Sequence, residues 1–180
     1  MKSSLRLALA ASFALGLLLV PPFAFGQEIP QPTAEHKSLK VMEGTWEATL
    51  KMPDGIAFPG ESTMKLECGG LWLVSDYKSE FGGFKFQGKG LDGYDTTKKK
   101  FVSVWVDSMS TTPMMLEGTY DETTKTLTMT GTGKGNDGQP TNVKTVSKSP
   151  SDDEHIFTMY SIDKEGKESS MFSIEYKRKK

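Results

Sequence analysis

The sequence predicts an all-β protein, a single antiparallel up-and-down β-barrel of about 8–10 strands with a short N-terminal helix, preceded by a signal peptide. From Thr45 onward, short stretches alternate apolar and polar residues, which is typical of half-buried strands. Tight turns separate these stretches, and no long helical pattern interrupts them, which excludes a parallel sheet as the main architecture. Successive hairpins close naturally into a barrel, because closure removes exposed sheet edges.

Residues 1–26 have the pattern of a signal peptide. Lys2 and Arg6 are followed by an apolar run over residues 7–20, which is too short for a comfortable membrane span and is interrupted by Pro21 and Pro22. Small residues precede Gln27, where we expect the mature chain to start. The sequence therefore predicts export to the periplasm or the extracellular space, with no stable membrane anchor after cleavage.

The composition argues for one mildly acidic domain. The formal net charge is −1, and removal of Lys2 and Arg6 with the leader takes it to −3. A negative surface disfavours nucleic acid and anionic lipid as partners. Cys68 is the only cysteine, so no internal disulfide can form, and the alternating pattern predicts its thiol on the apolar face of a strand.

The predicted domain covers residues 33–180, after an extended tether over residues 27–32. Thr33 is placed to cap a helix of about nine residues that presents His36, Leu39 and Met42 on one side. Gly44 is placed to end this helix. A helix this short requires packing against the barrel to persist.

The first predicted strand begins at Thr45 and places Trp46, Ala48, Leu50 and Met52 on one face. Nine further stretches complete the predicted strands: residues 62–68, 71–81, 84–91, 101–107, 114–120, 126–132, 142–148, 155–161 and 169–176.

Two of the predicted turns share a motif. Residues 94–99 and 120–125 both read Tyr-Asp-x-Thr-x-Lys, and residues 163–167 join two strands with an aspartate and a glycine. An aspartate at the start of such a turn accepts hydrogen bonds from the backbone that follows. We interpret all three as hairpin turns and not as ligand sites.

Six short motifs together resemble the domain of unknown function 1579, a family grouped with the lipocalin and fatty-acid-binding barrels. The resemblance implies a lipocalin-like barrel and no established activity. The motifs are Glu35-His36-Lys37, Gly44-Thr45-Trp46, residues 69–74, residues 90–95, residues 105–109 and residues 116–121.

The same resemblance implies a structural plug at one end of the barrel. In lipocalin-like barrels the tryptophan of a Gly-x-Trp motif closes one end and often meets an arginine near the end of the last strand. Trp46 and Arg178 are the counterparts here, and their contact would be a cation–π interaction. The alternative for Arg178 is a solvated position in the basic segment 177–180.

Motifs for catalysis, metals and cofactors are weak. Residues 88–93 match the dinucleotide fingerprint in letters, but they precede a turn and a strand where pyrophosphate binding requires a helix. His36, His155 and Cys68 lack the spacing of metal ligands. We predict no cofactor, no metal and no assigned catalytic residue. Asp76, Asp107 and Glu117 lie on predicted strands, and we interpret most such carboxylates as solvated.

Apolar and aromatic side chains on the strands are candidates to line a ligand cavity. Nine methionines follow residue 26, and they can serve either as flexible core filler or as adaptable cavity wall. A third interpretation is a copper(I) site over residues 109–115. The cavity candidates are Met64, Tyr77, Phe84, Phe86, Trp105, Asp107, Met114, Met129, Phe157, Met159 and Phe172.

Three functions fit this sequence. The first is a non-enzymatic binder of a small apolar ligand in the barrel. The second is an enzyme with a polar site at the barrel mouth that uses Asp107, Tyr77 or His155, and perturbed titration of an inward carboxylate beside an open cavity would favour it. The third is a filled barrel that binds another protein through an outer apolar patch. The sequence leaves the oligomeric state open.

Overall fold

Ten antiparallel strands close into a barrel in a computed structural model that describes residues 29–135 and 138–180. Each strand pairs with the next in sequence, and β1 pairs with β10. The strands are β1 (Gly44–Lys51), β2 (Ala57–Glu67), β3 (Trp72–Phe81), β4 (Phe84–Asp95), β5 (Lys100–Asp107), β6 (Met114–Asp121), β7 (Thr126–Lys134), β8 (Pro140–Ser151), β9 (Glu154–Ile162) and β10 (Glu168–Arg178). The predicted up-and-down barrel is confirmed.

The predicted signal peptide, residues 1–26, lies outside the described residues, as does the start of the predicted tether. Within the described part of the chain, no helix has the length and apolar character needed to cross a membrane.

The predicted helix is present in two pieces, α1 (Ala34–Ser38) and a 3-10 helix (Leu39–Met42). The Thr33 N–H donates to His36 Nδ1 at 3.2 Å, which satisfies one of the free donors at the helix start. His36 and Leu39 are buried against the barrel, as the spacing predicts. Gly44, at a φ of +129°, follows the helix and starts β1.

Strand alternation decides what lies inside the barrel. In β1, Trp46 and Ala48 are 1% and 3% exposed, whereas the alternate residues Glu47 and Thr49 are exposed. The register continues around the barrel, with Ala48 opposite Tyr176 and Leu50 opposite Ile174. Because side chains alternate with a period of two, each pairing fixes the inward face of the next strand.

The barrel interior has two parts. The packed core consists of nine buried apolar side chains: Leu39, Trp46, Met64, Leu73, Phe101, Leu116, Met129, Val143 and Met159. The aromatic cluster consists of buried Ala48, Tyr77 and Ile174 with the partly buried Leu50, Phe86, Trp105, Phe157, Phe172 and Tyr176. Only the packed core therefore has the uniformly buried side chains of a filled protein interior.

Arg178 closes the end of the barrel beneath the helix. Its guanidinium stacks over the Trp46 ring, 4.1 Å from the centroid, and donates to the backbone oxygens of Val41, Glu43 and Asp152. The Trp46 indole N–H donates to the Met42 oxygen at 2.9 Å. We call this end, formed by α1, the 3-10 helix, Trp46 and Arg178, the helix end.

The opposite end, which we call the loop end, is formed by the turns of residues 52–56, 82–83, 108–113 and 163–167, together with residues 135, 138 and 139. Among the described residues, no helix covers these turns. Phe84 and Met109 are 47% and 66% exposed there.

The aspartate turns form as predicted. Asp95 Oδ1 accepts hydrogen bonds from the N–H groups of Thr97 and Lys98 at 2.8 and 3.0 Å, and Asp121 and Asp163 make the same kind of contacts. The lysines that end the shared motif, Lys99 and Lys125, adopt φ values of +54° and +52°. The motif therefore encodes a turn geometry.

The prediction for Cys68 is wrong. Its side chain is exposed, and it lies in a 3-10 turn with a φ of +51°. The alternating pattern continues to Cys68 in sequence, but β2 ends at Glu67 because the turn through Gly69 and Gly70 has begun.

Candidate functional site

Asp92 is placed inside the barrel by the alternation of β4. Phe86, Gly88, Gly90 and Asp92 share one face of this strand, and a Cβ added to Gly88 or Gly90 would meet the inward ring of Trp105 or the Ser75 hydroxyl. Asp92 lies opposite Ser103 of β5. A carboxylate is therefore turned toward the interior, closer to the helix end of the barrel than to the loop end.

Asp92 lies deep in the protein and yet keeps part of its surface accessible. Burial raises its pKa to about 6, and the Ser103 hydroxyl opposes part of this effect by stabilising the charged form. None of the ion pairs formed by the described residues includes Asp92. This carboxylate is therefore desolvated without a compensating cation.

Tyr176 extends from a distant part of the wall, since β10 is separated from β4 by β1, β2 and β3. Burial raises the pKa of its hydroxyl, and the charges of Tyr77 and Asp92 raise it further. Tyr176 keeps partial accessibility, and its hydroxyl is not one of the fully buried oxygens without a partner, which are those of Tyr77 and Thr145. The charge of Asp92 therefore acts on a partly accessible phenol across the interior.

Trp105 forms an aromatic wall in the part of the barrel interior that holds Asp92 and Tyr176. The glycines of β4 leave room for its ring, and its indole N–H donates to Asp107 Oδ2 at 2.9 Å. Asp107 Oδ1 in turn accepts from the Met109 N–H at 2.8 Å. These two bonds fix the orientation of the indole, because each carboxylate oxygen is held by a separate donor.

Tyr77 links this wall to β2. Its ring lies 6.4 Å from Trp105 and 5.9 Å from Phe86 in edge contacts. Its buried hydroxyl lies against Gly60 and makes no hydrogen bond of ordinary geometry, although the nearby Ser79 hydroxyl lowers its pKa against the larger raising effect of burial. We take the ring of Tyr77, and not its hydroxyl, as the part that shapes the interior space.

His155 lies opposite Tyr176, with ring centroids 5.7 Å apart. Its Nδ1 is 3.0 Å from the Ser149 hydroxyl. Burial lowers the pKa of His155 to about 4, so its imidazole is neutral near pH 7. His155 therefore supplies no positive charge to the interior.

We call Asp92, Ser103, Trp105 and Tyr176, with the ring of Tyr77, the interior site. It combines a carboxylate and a phenol with aromatic walls, which is suited to orienting a polar group on a small molecule with an apolar body. Within the described residues, no group of three His, Cys, Asp or Glu side chains is placed to hold a metal ion.

Two open depressions lie elsewhere, on the outer face of the barrel. One is lined mainly by outward residues of β7 and β8, including Thr130, Thr132 and Asn142, and the other by residues of β2, β3 and β4, including Glu61 and Lys78. Both are shallow and contain no buried, unpartnered polar group of the kind found in the interior, so we regard the interior as the stronger candidate.

The predicted cavity residues fall into separate groups. Met64, Met129 and Met159 belong to the packed core, and Met114 packs against it. Phe157 and Phe172 pack against the packed core and also belong to the aromatic cluster. Tyr77, Phe86 and Trp105 lie in the aromatic cluster, Asp107 holds the Trp105 indole, and Phe84 lies at the loop end. Trp46 and Arg178 lie together at the helix end.

The carboxylates singled out from the sequence differ from the one in the site. Asp76 points outward and pairs with Lys89. Glu117 lies between Lys100 and Lys98, whose hydrogen bonds and charges lower its pKa to about 2. The sequence analysis missed Asp92, although its spacing from Phe86 and Tyr94 on the same strand was an available signal of an inward position.

The family model described as Protein of unknown function (DUF1579) matches residues 31–178. The chain belongs to this family. The resemblance found in the sequence is thereby confirmed, and the matched region of this DUF1579 protein contains all ten strands and the interior site. No curated protein matches the chain.

The chain is similar in structure to two designed proteins. One is a de novo designed fluorescence-activating β-barrel, with 15% identity, a TM-score of 0.47 and coverage of 79% of this chain and 97% of that chain. The other is a redesigned β-barrel, with 14% identity, a TM-score of 0.44 and coverage of 84% and 100%. Both comparison proteins are β-barrels.

Proposed function

We propose that this DUF1579 protein is a non-enzymatic binder of a small ligand, which it holds in the interior site. The observation that carries this proposal is the Asp92 carboxylate deep in the barrel, partly accessible and outside every ion pair of the described residues, together with the partly accessible phenol of Tyr176. Buried polar groups in folded proteins normally have partners, and an exception calls for an explanation. A ligand that supplies the missing partners is such an explanation.

The walls of the interior site support a ligand with an apolar body. Four aromatic side chains of the aromatic cluster are only partly buried: Phe86, Trp105, Phe157 and Phe172. Apolar surface that stays partly accessible inside a barrel gains free energy when a ligand covers it, at roughly 25 cal/mol per Å². The aromatic side chains would thus contribute affinity, while Asp92 and Tyr176 would orient the ligand.

The proposed ligand is bound outside the cytoplasm. This part of the proposal is supported by the signal-peptide pattern of residues 1–26, in which a charged start, a short apolar run and small residues follow one another.

A second candidate function is acid–base catalysis in the same site. A carboxyl group whose pKa is raised to about 6 is suited to proton transfer near neutral pH, and Asp92, which is partly accessible, has this property. This is the titration behaviour that favours an enzyme, and it occurs at Asp92. We place it second because no positively charged side chain of the described residues lies beside Asp92, so a negative charge that developed on a substrate would lack a partner.

Native mass spectrometry of residues 27–180, purified without detergent, tests the binding proposal. We expect an adduct of one small molecule per chain, which organic solvent releases. Ser103→Phe would fill the space beside Asp92 and abolish the adduct. Val106→Phe adds the same ring to the outer face of the same strand, where Val106 is 46% exposed, and would retain it.

A wild-type protein without an adduct, and without a thermal shift from a panel of lipids and metabolites, would contradict binding. Incubation of the released molecule with fresh protein separates the two candidates. Recovery of the unchanged molecule supports a binder, and its conversion into a product in wild type but not in Asp92→Asn supports the enzyme.

A further inference from the structure

We infer that the ligand of the interior site carries a protonated amine, held by the Asp92 carboxylate and the Tyr176 hydroxyl, on an apolar body covered by the aromatic walls. This inference rests on the proposed function and adds the chemical class of the ligand. The supporting observation is that the lysines of the strands lie on the outer face of the barrel wall, whereas an unpaired carboxylate lies on the inner face.

Positive charge is placed on the outer face throughout the described strands. By alternation and register, each lysine of the ten strands points outward, and none has an inward position. These residues are Lys51, Lys65, Lys78, Lys85, Lys89, Lys100, Lys134, Lys144, Lys148 and Lys177. Arg178 has an inward register position but is held at the helix end by backbone oxygens.

Negative charge, in contrast, occurs on the inner face. Asp92 and Asp107 both have inward positions, on neighbouring strands. Asp107 is bound by two N–H donors, from Trp105 and Met109, whereas Asp92 has only the Ser103 hydroxyl beside it. The interior therefore carries uncompensated negative charge, and Asp92 is the carboxylate that lacks donors.

A protonated amine matches the Asp92 carboxylate and the Tyr176 hydroxyl. Its three N–H groups can donate to both a carboxylate and a phenol oxygen, and its charge compensates the buried carboxylate. The face of the Trp105 ring, on the same wall, provides a further favourable surface for a cation. An apolar acid would instead add a third negative charge to those of Asp92 and Asp107, which is unfavourable.

Four other titratable groups on the inner face supply no positive charge near neutral pH. They are Tyr77 of β3, Asp107 of β5, His155 of β9 and Tyr176 of β10. Burial raises the pKa of both tyrosines and lowers that of His155 to about 4, so these three groups are neutral between pH 6 and 8.

The test compares octylamine, octanol and octanoate, which share an apolar chain and differ in the head group. Calorimetric titration at pH 7.5 is expected to give an affinity for octylamine about 10-fold or more above that for the other two, the range of a charge-assisted hydrogen bond. Asp92→Asn would remove this preference, and Asp92→Glu would keep it. The control Asp76→Asn, which removes one carboxylate from the outer face, would leave it unchanged.

A pH series on the wild type tests the same contact without a substitution. As the pH falls from 7.5 to 5, Asp92 takes up a proton, and the affinity for octylamine is expected to drop by about 10-fold while the affinity for octanol stays constant.

Several results would overturn the inference. Octanol or octanoate binding as tightly as octylamine, or octylamine binding unaffected by Asp92→Asn, would exclude an amine contact while leaving ligand binding in place. Failure of all three probes would also overturn it, and the adduct found by native mass spectrometry would then decide the proposed function separately.

Discussion

The packed core and the interior site are built on the same ten strands and have opposite compositions. The packed core consists of apolar side chains that are at most 8% exposed. The interior site keeps a carboxylate, a phenol and an indole partly accessible. Burying an unpaired carboxylate costs stability. The contrast therefore indicates that one part of the barrel stabilises the fold while the other part holds groups that destabilise it.

The largest expected effect contrasts two tryptophans. Trp46→Ala should lower the free energy of unfolding by about 3–5 kcal/mol, because it leaves a cavity in the packed core and removes the ring under Arg178. Trp105→Ala should cost less, about 1–3 kcal/mol, because that ring is only partly buried. Urea unfolding of the two variants measures the difference, with Trp46→Phe as the conservative control. Equal losses would mean that the two regions do not differ in packing.

Asp92 should destabilise the folded state at neutral pH. Its pKa is raised in the folded state to about 6, so the stability that it contributes is complete below its unfolded pKa and is lost as the pH rises through 6. Asp92→Asn should therefore be about 2–3 kcal/mol more stable than wild type at pH 7.5 and no more stable at pH 4. Urea unfolding at both pH values checks this. A variant less stable than wild type at pH 7.5 would show that Asp92 supports the fold.

His155 should have the opposite pH dependence. Its pKa is lowered in the folded state to about 4, so its contribution is complete above the unfolded value of 6.5 and is lost as the pH falls through 4. Asp92 and His155 thus act against each other between about pH 4 and 6, and wild-type stability should change little there. His155→Gln should become more stable on acidification across this range, by about 2–3 kcal/mol. If the free energy of unfolding of His155→Gln did not change between pH 4 and 6, the raised pKa assigned to Asp92 would be contradicted.

The smallest effect concerns the helix end. Arg178→Met should cost about 1–2 kcal/mol, because it keeps the apolar stem and removes the guanidinium from Trp46 and from the backbone oxygens of Val41 and Asp152. Lys177→Met, at the outward position beside it, should change stability by less than about 0.5 kcal/mol. Thermal unfolding of both variants tests whether stability depends on the contacts of the Arg178 guanidinium or only on positive charge at this end of the chain. Amine binding in the interior site should be unaffected in either variant.

The strands could be predicted from the sequence because each has its own period of two, which local residues determine. Trp46, Ala48 and Leu50 show that period without information from elsewhere in the chain. The pattern failed at Cys68, where the alternation of residue types runs one position beyond the strand. Strand ends depend on turn geometry, which alternation does not encode.

The interior site was harder to predict because it depends on contacts across the barrel. In β4 the inward face contains Gly88 and Gly90, which interrupt the apolar pattern that would have indicated the position of Asp92. These glycines are explained by the Trp105 ring, which occupies the space that their side chains would fill. Asp92 acts on Tyr176, which is 84 residues away in the sequence and lies on a distant part of the wall. Local periodicity carries no information about such pairs.

The pairing of β1 with β10 has a consequence for how fast the protein folds. Nine of the ten strand pairings join neighbours in sequence and can form as hairpins, whereas the tenth brings together residues 46–51 and 173–178. Closing a loop of that length carries the greatest entropic cost in the fold. We therefore expect the pairing of β1 with β10 to limit the folding rate. Before these two strands pair, their free edges are the surfaces through which we expect incompletely folded chains to associate.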